Sequence, residues 1–336
     1  MEWSCGRSGK AARHVRGAVI ALCTLALGTL VLGTLVLGCS AQLAAVPPFS
    51  GVVRISDAPT RIVIYGDTQT RHPLEFWMKD TSKARRKVAY RIAQIRPDIV
   101  VNAGDLVDRG GNPPSWRIFD EDNAWLRRLG VPYFPVFGNH EFYGGSHATA
   151  LANFFARFPY LEHRHWYSFT ADSVAFLMLD SNFSKLTARE CTEQLKWLQK
   201  SLDEFEAMPE IKLNVIVIHH PPFTNSANST PDSAVVQSIL PMLGGHPKVK
   251  LFFSGHSHTY ERFRIGGINY IVTGGGGAPL DTLEPSTFPD DLYEGGLKRG
   301  HHYCLMTLYR QQCTIEMFEL QDDGSWMVQD SVEVQY

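Results

Sequence analysis

Arg61-Ile62-Val63-Ile64-Tyr65-Gly66-Asp67 and Asp98-Ile99-Val100-Val101-Asn102-Ala103-Gly104-Asp105 are the two stretches that decide how this chain folds. Each is a short, β-branched apolar run that ends in a glycine and a carboxylate. Between them, Val88, Ile92 and Ile95 recur at helical spacing within Lys83 to Arg96, and Pro97 stops the run. Strand, helix and strand in that order predict a parallel pair with a crossover helix. The pattern continues outward: a helix over Trp116 to Leu129, closed by Gly130, then a strand over Val131 to Phe137 ending at Gly138-Asn139-His140. Further helices are expected at Ala148 to Phe158, Glu190 to Phe205 (Leu195, Leu198 and Leu202 on one face) and Ser233 to Leu243. Further strands are expected as a pair within His165 to Asp180, at Leu213 to Ile218 before His219, and at Val249 to Phe253 before Gly255-His256. From Ile268 onward the chain reads as mostly strands, so the fold class is α/β with a mixed sheet or two packed sheets. Five polar clusters thus sit at the C-terminal ends of five strands, the edge at which sites assemble in open α/β sheets.

The chain has 336 residues, 44% of them hydrophobic and 20% charged, as in soluble globular proteins. No internal repeat or second boundary shows, and residues 61–336 read as one catalytic domain. The net charge is -2, with no dense Lys/Arg block beyond residue 16, which argues against a nucleic-acid partner held on a broad basic face. At the N-terminus Arg7, Lys10, Arg13 and Arg16 precede an uncharged run from Gly17 to Gly38. Its end, Val36-Leu37-Gly38-Cys39, resembles a bacterial lipobox. The expectation is a lipoprotein-type signal peptide at 1–38, a lipid on Cys39 and a tether at 39–60; an uncleaved signal anchor is the alternative. Either places the domain in the cell envelope outside the cytoplasm. Cys191, Cys304 and Cys313 remain for the domain, an odd number read as buried free thiols. With a turn at Tyr309 to Gln312, Cys304 and Cys313 would not face each other.

Taken in order, Asp67-Thr68-Gln69, Gly104-Asp105-Leu106-Val107-Asp108-Arg109-Gly110, Gly138-Asn139-His140-Glu141, His219 and Gly255-His256-Ser257-His258 resemble the five-block signature of the calcineurin-like metallophosphoesterases. The resemblance covers about Arg61 to Thr273. It implies a four-layer α/β/β/α sandwich, two packed mixed β-sheets flanked by helices. It also implies two divalent metal ions, Mn by preference and Fe or Zn as alternatives, bridged by Asp105. Asp67 and His258, with Gln69, would hold the first; Asn139, His219 and His256 the second. A metal-bridging hydroxide would attack a phosphate ester in line, with His140 as proton donor. Asp108 would orient His140, or else be a surface turn residue; Arg109 would contact the phosphate, or else form a surface salt bridge.

Two departures shape the expectation. Gln69 stands where many members have histidine; an amide oxygen is the weaker donor, so a softer first site leaning to Mn follows, unless His72 replaces it. His256-Ser257-His258-Thr259-Tyr260-Glu261-Arg262 and Tyr270 to Gly275 look like the purple acid phosphatase branch, yet Asp108 occupies the place of that branch's ferric-binding tyrosine. No purple band is therefore expected, and strong visible absorption of the iron-loaded form would contradict this. Asp108-Arg109-Gly110 looks instead like Ser/Thr protein phosphatases, which carry an arginine where this chain has Phe137. Gly274 to Gly277 reads as a tight turn beside the metal edge, not a P-loop. Phe154, Phe155, Phe158, Tyr160, Trp166 and Tyr167 read as core or as pocket lining, and His163 and His165 as candidate substrate contacts. The expected substrate is a small-molecule phosphate monoester, or a diester; a phosphoprotein phosphatase and a catalytically weak envelope binding protein are the alternatives.

Overall fold

Burial on both faces explains how the apolar runs become two sheets. The computed structural model describes residues 47–53, 58–70, 80–284, 291–293 and 295–336. The signal-peptide, Cys39 and His72 expectations lie outside these residues. In it β1 (Thr60–Tyr65), α1 (Ser82–Ile95) and β2 (Ile99–Asn102) form the expected unit, with Ile62 opposite Ile99 in a parallel pair. The chain continues through α2 (Pro113–Asp122), α3 (Ala124–Arg128), β3 (Tyr133–Pro135), α4 (His147–Arg157), β4 (Tyr167–Ala171), β5 (Val174–Met178) and α5 (Ala188–Ala207). Then come β6 (Leu213–Val217), α6 (Ser233–Ser238), α7 (Leu240–Leu243), β7 (Val249–Ser254), β8 (Tyr260–Ile265), β9 (Ile268–Thr273), β10 (His302–Tyr309), β11 (Gln312–Leu320) and β12 (Trp326–Gln335).

One six-stranded sheet has the order β12-β11-β10-β1-β2-β3, the other β4-β5-β6-β7-β9-β8. Both are mixed: β1, β2 and β3 run parallel, as do β5, β6, β7 and β9. Along β6, Val215 and Val217 join the core shared with the first sheet, whereas Ile216 and Ile218 pack with Leu198 and Leu202 of α5. A period of two thus feeds two cores from one continuous apolar run, and the four layers follow. On the outer face of the first sheet, Val88 and Ile92 of α1 and Trp116 and Phe119 of α2 are buried. Helix α5 starts with a capping box in which Thr187 and Glu190 satisfy each other's backbone amides.

Several expectations change. The helix expected over 116–129 is two, because the chain leaves helical geometry at Asn123, whose amide bonds back to the Phe119 carbonyl at 3.0 Å. The helix expected over 233–243 is also two, with Pro241 in the first turn of the second. Strand β8 follows the His256–His258 loop directly and has no counterpart in the sequence reading. Phe49, in the stretch read as tether, is 3% exposed, stacks on Phe158 with centroids 5.2 Å apart, and lies under the Arg127 guanidinium. Cys304 pairs with Met317 and Cys313 with Leu308, so the two thiols do not face; with Cys191 they are free. Among the described residues no helix is long and apolar enough to cross a membrane.

Candidate metal centre

Asp67 follows β1, Asp105 follows β2, Asn139 and His140 follow β3, His219 follows β6, and His256 and His258 follow β7. Three turns from one sheet and two from the other therefore converge at one edge. Asp67, Asp105 and His256 have positive φ (59, 53 and 68), a conformation that side chains rarely adopt and that the surroundings must hold. Backbone donors do so: His256 N–H donates to the Asp67 carboxylate at 3.0 Å and His140 N–H to Asp105 Oδ1 at 2.9 Å. Glycine is required beside both carboxylates, because a Cβ on Gly138 would collide with Asp105 and one on Gly255 with Asp67.

Beneath them lies Glu141, 1% exposed. Its carboxylate accepts from the backbone amides of Asp105 (2.9 Å), Leu106 (2.8 Å), Val107 (3.3 Å) and Gly138 (2.8 Å), tying the β2 and β3 turns together. Burial, and next the charge of Asp105, push its carboxyl up to about 7 against the donors of Gly138 and Val107.

The donor atoms face one another. Asn139 Oδ1 lies 3.0 Å from both His219 Nε2 and His256 Nδ1, while its amide nitrogen donates to the Tyr143 hydroxyl at 3.1 Å. His219 Nε2 is 3.4 Å from Asp105 Oδ2, and His258 Nε2 is 3.6 Å from Asp67 Oδ1. The ligand atoms of Asp67, Asp105 and His219 lie within 4.8 Å of one another, as do those of His219, His220 and His256. His219 Nδ1 donates to the Ala103 carbonyl and His258 Nδ1 to that of Pro279, both at 2.8 Å, which leaves each Nε2 lone pair for the centre. Burial, then Asp105, raises the Asp67 pKa well above the carboxylate range. Burial would raise Asp105 too, but the His219 and His140 imidazoles beside it and the His140 N–H outweigh it and hold that carboxyl low. Adjacent buried carboxylates with amide and imidazole donors fit divalent cations, which relieve the repulsion.

His140 lies at the rim with its Nδ1 2.8 Å from the Asp108 carbonyl and 3.6 Å from its carboxylate, so the backbone oxygen is the nearer partner. The Asp108 carboxylate is also 3.7 Å from Arg109 Nε. Burial lowers the His140 pKa, but Asp105 and Asp108 raise it more, to about 9. Gln69 is buried with its amide nitrogen 3.3 Å from Asp105 Oδ2 and 3.1 Å from His258 Nε2, and its Oε1 has no hydrogen-bond partner.

His165 and His163 are engaged elsewhere. His165 bonds Asp180 at 2.9 Å and stacks on Phe137, and the His163 ring packs on Phe155. Phe154, Phe155, Phe158 and Tyr167 belong to the core. Gly276 and Ala278 amides bond the Gly66 and Asp67 carbonyls at 2.9 Å, making the glycine run a turn beside Asp67. Three further residues join the site. Tyr143 packs on the His140 ring at 5.0 Å, and His220 packs on His256 at 4.5 Å with Nδ1 2.7 Å from Ser181 Oγ. Asp281 accepts from His258 N–H at 2.9 Å. Adjacency to His219 and a four-residue step from Asn139 were signals for His220 and Tyr143; Asp281 carries none.

A family model described as calcineurin-like phosphoesterase matches residues 60–260. Purple acid phosphatase 21 of Arabidopsis thaliana is 27% identical over 209 residues, spanning 58% of this chain and 46% of that protein. Probable inactive purple acid phosphatase 24 of the same plant is 26% identical over 277 residues, spanning 70% and 43%. The chain thus spans about half the length of the curated relatives it matches. The purple acid phosphatase PPD1 of yellow lupin (Lupinus luteus) shares the fold at TM-score 0.67 and 20% identity, over 83% of this chain and 54% of that one. A dimetal phosphatase from Danio rerio does so at TM-score 0.58 and 17% identity, over 83% and 100%.

Proposed function

Because the chain belongs to the calcineurin-like phosphoesterase family, we propose that it hydrolyses a phosphate ester at a two-metal centre held by Asp67, Asp105, Asn139, His219, His256 and His258. The convergence of Asn139 Oδ1 on His219 Nε2 and His256 Nδ1, beside the Asp67–Asp105 pair, carries this reading. Two divalent ions bound there, Mn foremost, would supply Lewis acidity towards the phosphate and acidify a water.

The side chains do the rest. Asp105, with His219 on one side and Gln69 on the other, suits the bridging position. The Asp108 carbonyl, 2.8 Å from His140 Nδ1, holds the ring for delivery of a proton from Nε2 to the leaving oxygen. Arg109, ion-paired to Asp108, steadies that carboxylate at the rim. Gln69 acts through its amide, either as a hydrogen-bond donor to Asp105 or, turned over, as an oxygen ligand. A second reading, a binding protein without turnover, is favoured by Gln69 and by the relative whose name marks it inactive. Release of p-nitrophenol from p-nitrophenyl phosphate or its bis ester by Mn-loaded protein, abolished by a chelator, separates the two. Attachment to a membrane through lipidated Cys39 rests on sequence; Cys39→Ser should release the chain from the membrane fraction.

A further inference from the structure

Two cavities open beside the centre and share one wall. The larger, about 580 Å³, is lined by Thr224, Ser226, Asn228, Thr230 and Glu284 among others. The smaller, about 380 Å³, is lined by Tyr143, Ser181, Asn182, Phe183 and Lys185 among others. His220, Asp232 and His256 line both. Each falls within the range of small-ligand pockets, about 300–1,000 Å³.

We propose that the substrate is a phosphodiester, with its phosphate at the junction beside His256 and one substituent in each cavity. This rests on the phosphoesterase reading above. A monoester has one substituent and would leave one cavity without an occupant. Outside the metal centre, Lys185 is the one fixed cation among the described lining residues, set against the carboxylates of Asp232 and Glu284, so the cavity walls suit uncharged substituents. His140 as proton donor serves either ester.

The two arms are not equivalent. Tyr143 lines the smaller cavity and packs on His140, so the leaving alcohol occupies that side. The retained arm then lies in the larger cavity. Its wall is held by Asp281, which accepts from Ser226 Oγ at 2.7 Å and Asn228 Nδ2 at 2.6 Å, and by the Ala227 N–H bond to the Thr282 carbonyl. That wall offers hydroxyl, amide and carboxylate groups, the chemistry of a polar, uncharged substituent. In the reaction the oxygen of water bonds to phosphorus as the bond to the leaving oxygen breaks. His140 protonates that oxygen, a proton from the water replaces the one it gave, and the products are a monoester and an alcohol.

The test compares p-nitrophenyl phosphate with bis-p-nitrophenyl phosphate in full-length, Mn-loaded protein of measured metal content. Thr230→Trp and Ala227→Trp, two independent obstructions of the larger cavity at exposed positions, are run beside Ser184→Trp in the smaller. The expected result is a preference for the diester, and a fall of at least about tenfold in the diester-to-monoester ratio of kcat/KM on filling the larger cavity. Ser184→Trp should lower turnover of both esters together. Preference for the monoester, or a ratio unmoved by both obstructions, overturns the assignment while leaving the phosphoesterase reading intact. No turnover of either ester in metal-loaded protein overturns both.

Discussion

Glu141→Gln changes one atom and should cost about 4 kcal/mol. The native carboxylate divides its acceptors: Oε2 takes the amides of Asp105 and Gly138, and Oε1 those of Leu106 and Val107. Glutamine has one acceptor oxygen. Whichever way its amide turns, an NH2 group meets two buried N–H donors, which are left without an acceptor. Each buried donor so orphaned costs about 1–3 kcal/mol, and two give about 4. For a domain of this size roughly 2 °C of Tm follows each kcal/mol, so a drop of about 8 °C is expected. Urea unfolding and thermal scans at pH 8 measure it. The same variant should hold metal more weakly, because the Asp105 turn loses its anchor. A variant within about 0.5 kcal/mol of wild type would refute the reasoning, since it would mean that one oxygen already acts as a protonated donor in the native state.

Phe49→Ala should destabilise by about 3 kcal/mol in urea unfolding, because it removes a buried ring between Phe158 and Arg127; an unchanged midpoint would return this stretch to the role of tether. Burial pushes Glu261 up from an ordinary 4.5 to about 7, so the stability it contributes is full below about pH 4.5 and is lost as pH rises through 7. The loss is about 3 kcal/mol, and Glu261→Gln should remove that slope between pH 5 and 8. Unlike at Glu141, an amide fits here, since the Thr224 hydroxyl can turn towards Ser257. Gln69→His should tighten Mn and Zn binding about tenfold in a metal titration; unchanged affinity would show that position 69 is not a ligand.

That the candidate site residues meet was legible because strand order and polar strand ends are written locally. Asp67, Asp105, Asn139, His219 and the His256–His258 pair each close an apolar run whose period and length mark it as a buried strand. Bringing them to one edge needs parallel strands within each sheet and two sheets packed with their carboxyl ends together. What sequence left out depends on contacts between distant segments. Glu141 stands in the same motif as His140, yet its partners are backbone amides of another turn. Strand β8 carries Glu261, a buried carboxyl hydrogen-bonded by Thr224 and Asn225, which breaks the apolar alternation that would have marked it. Phe49 is far in sequence from the aromatic residues that bury it. The orientation of the Gln69 amide is set by Asp105 and His258, and residue type alone leaves it open.

Metal content and ester hydrolysis measured together on Asp105→Asn test the central claim most directly. An amide cannot supply the second anionic oxygen that a bridging position needs. The expected result is protein that folds, binds at most one of two Mn ions at wild-type strength, and loses at least about a thousandfold in kcat/KM. A variant that keeps both metals and wild-type turnover would contradict the two-metal centre built on Asp105.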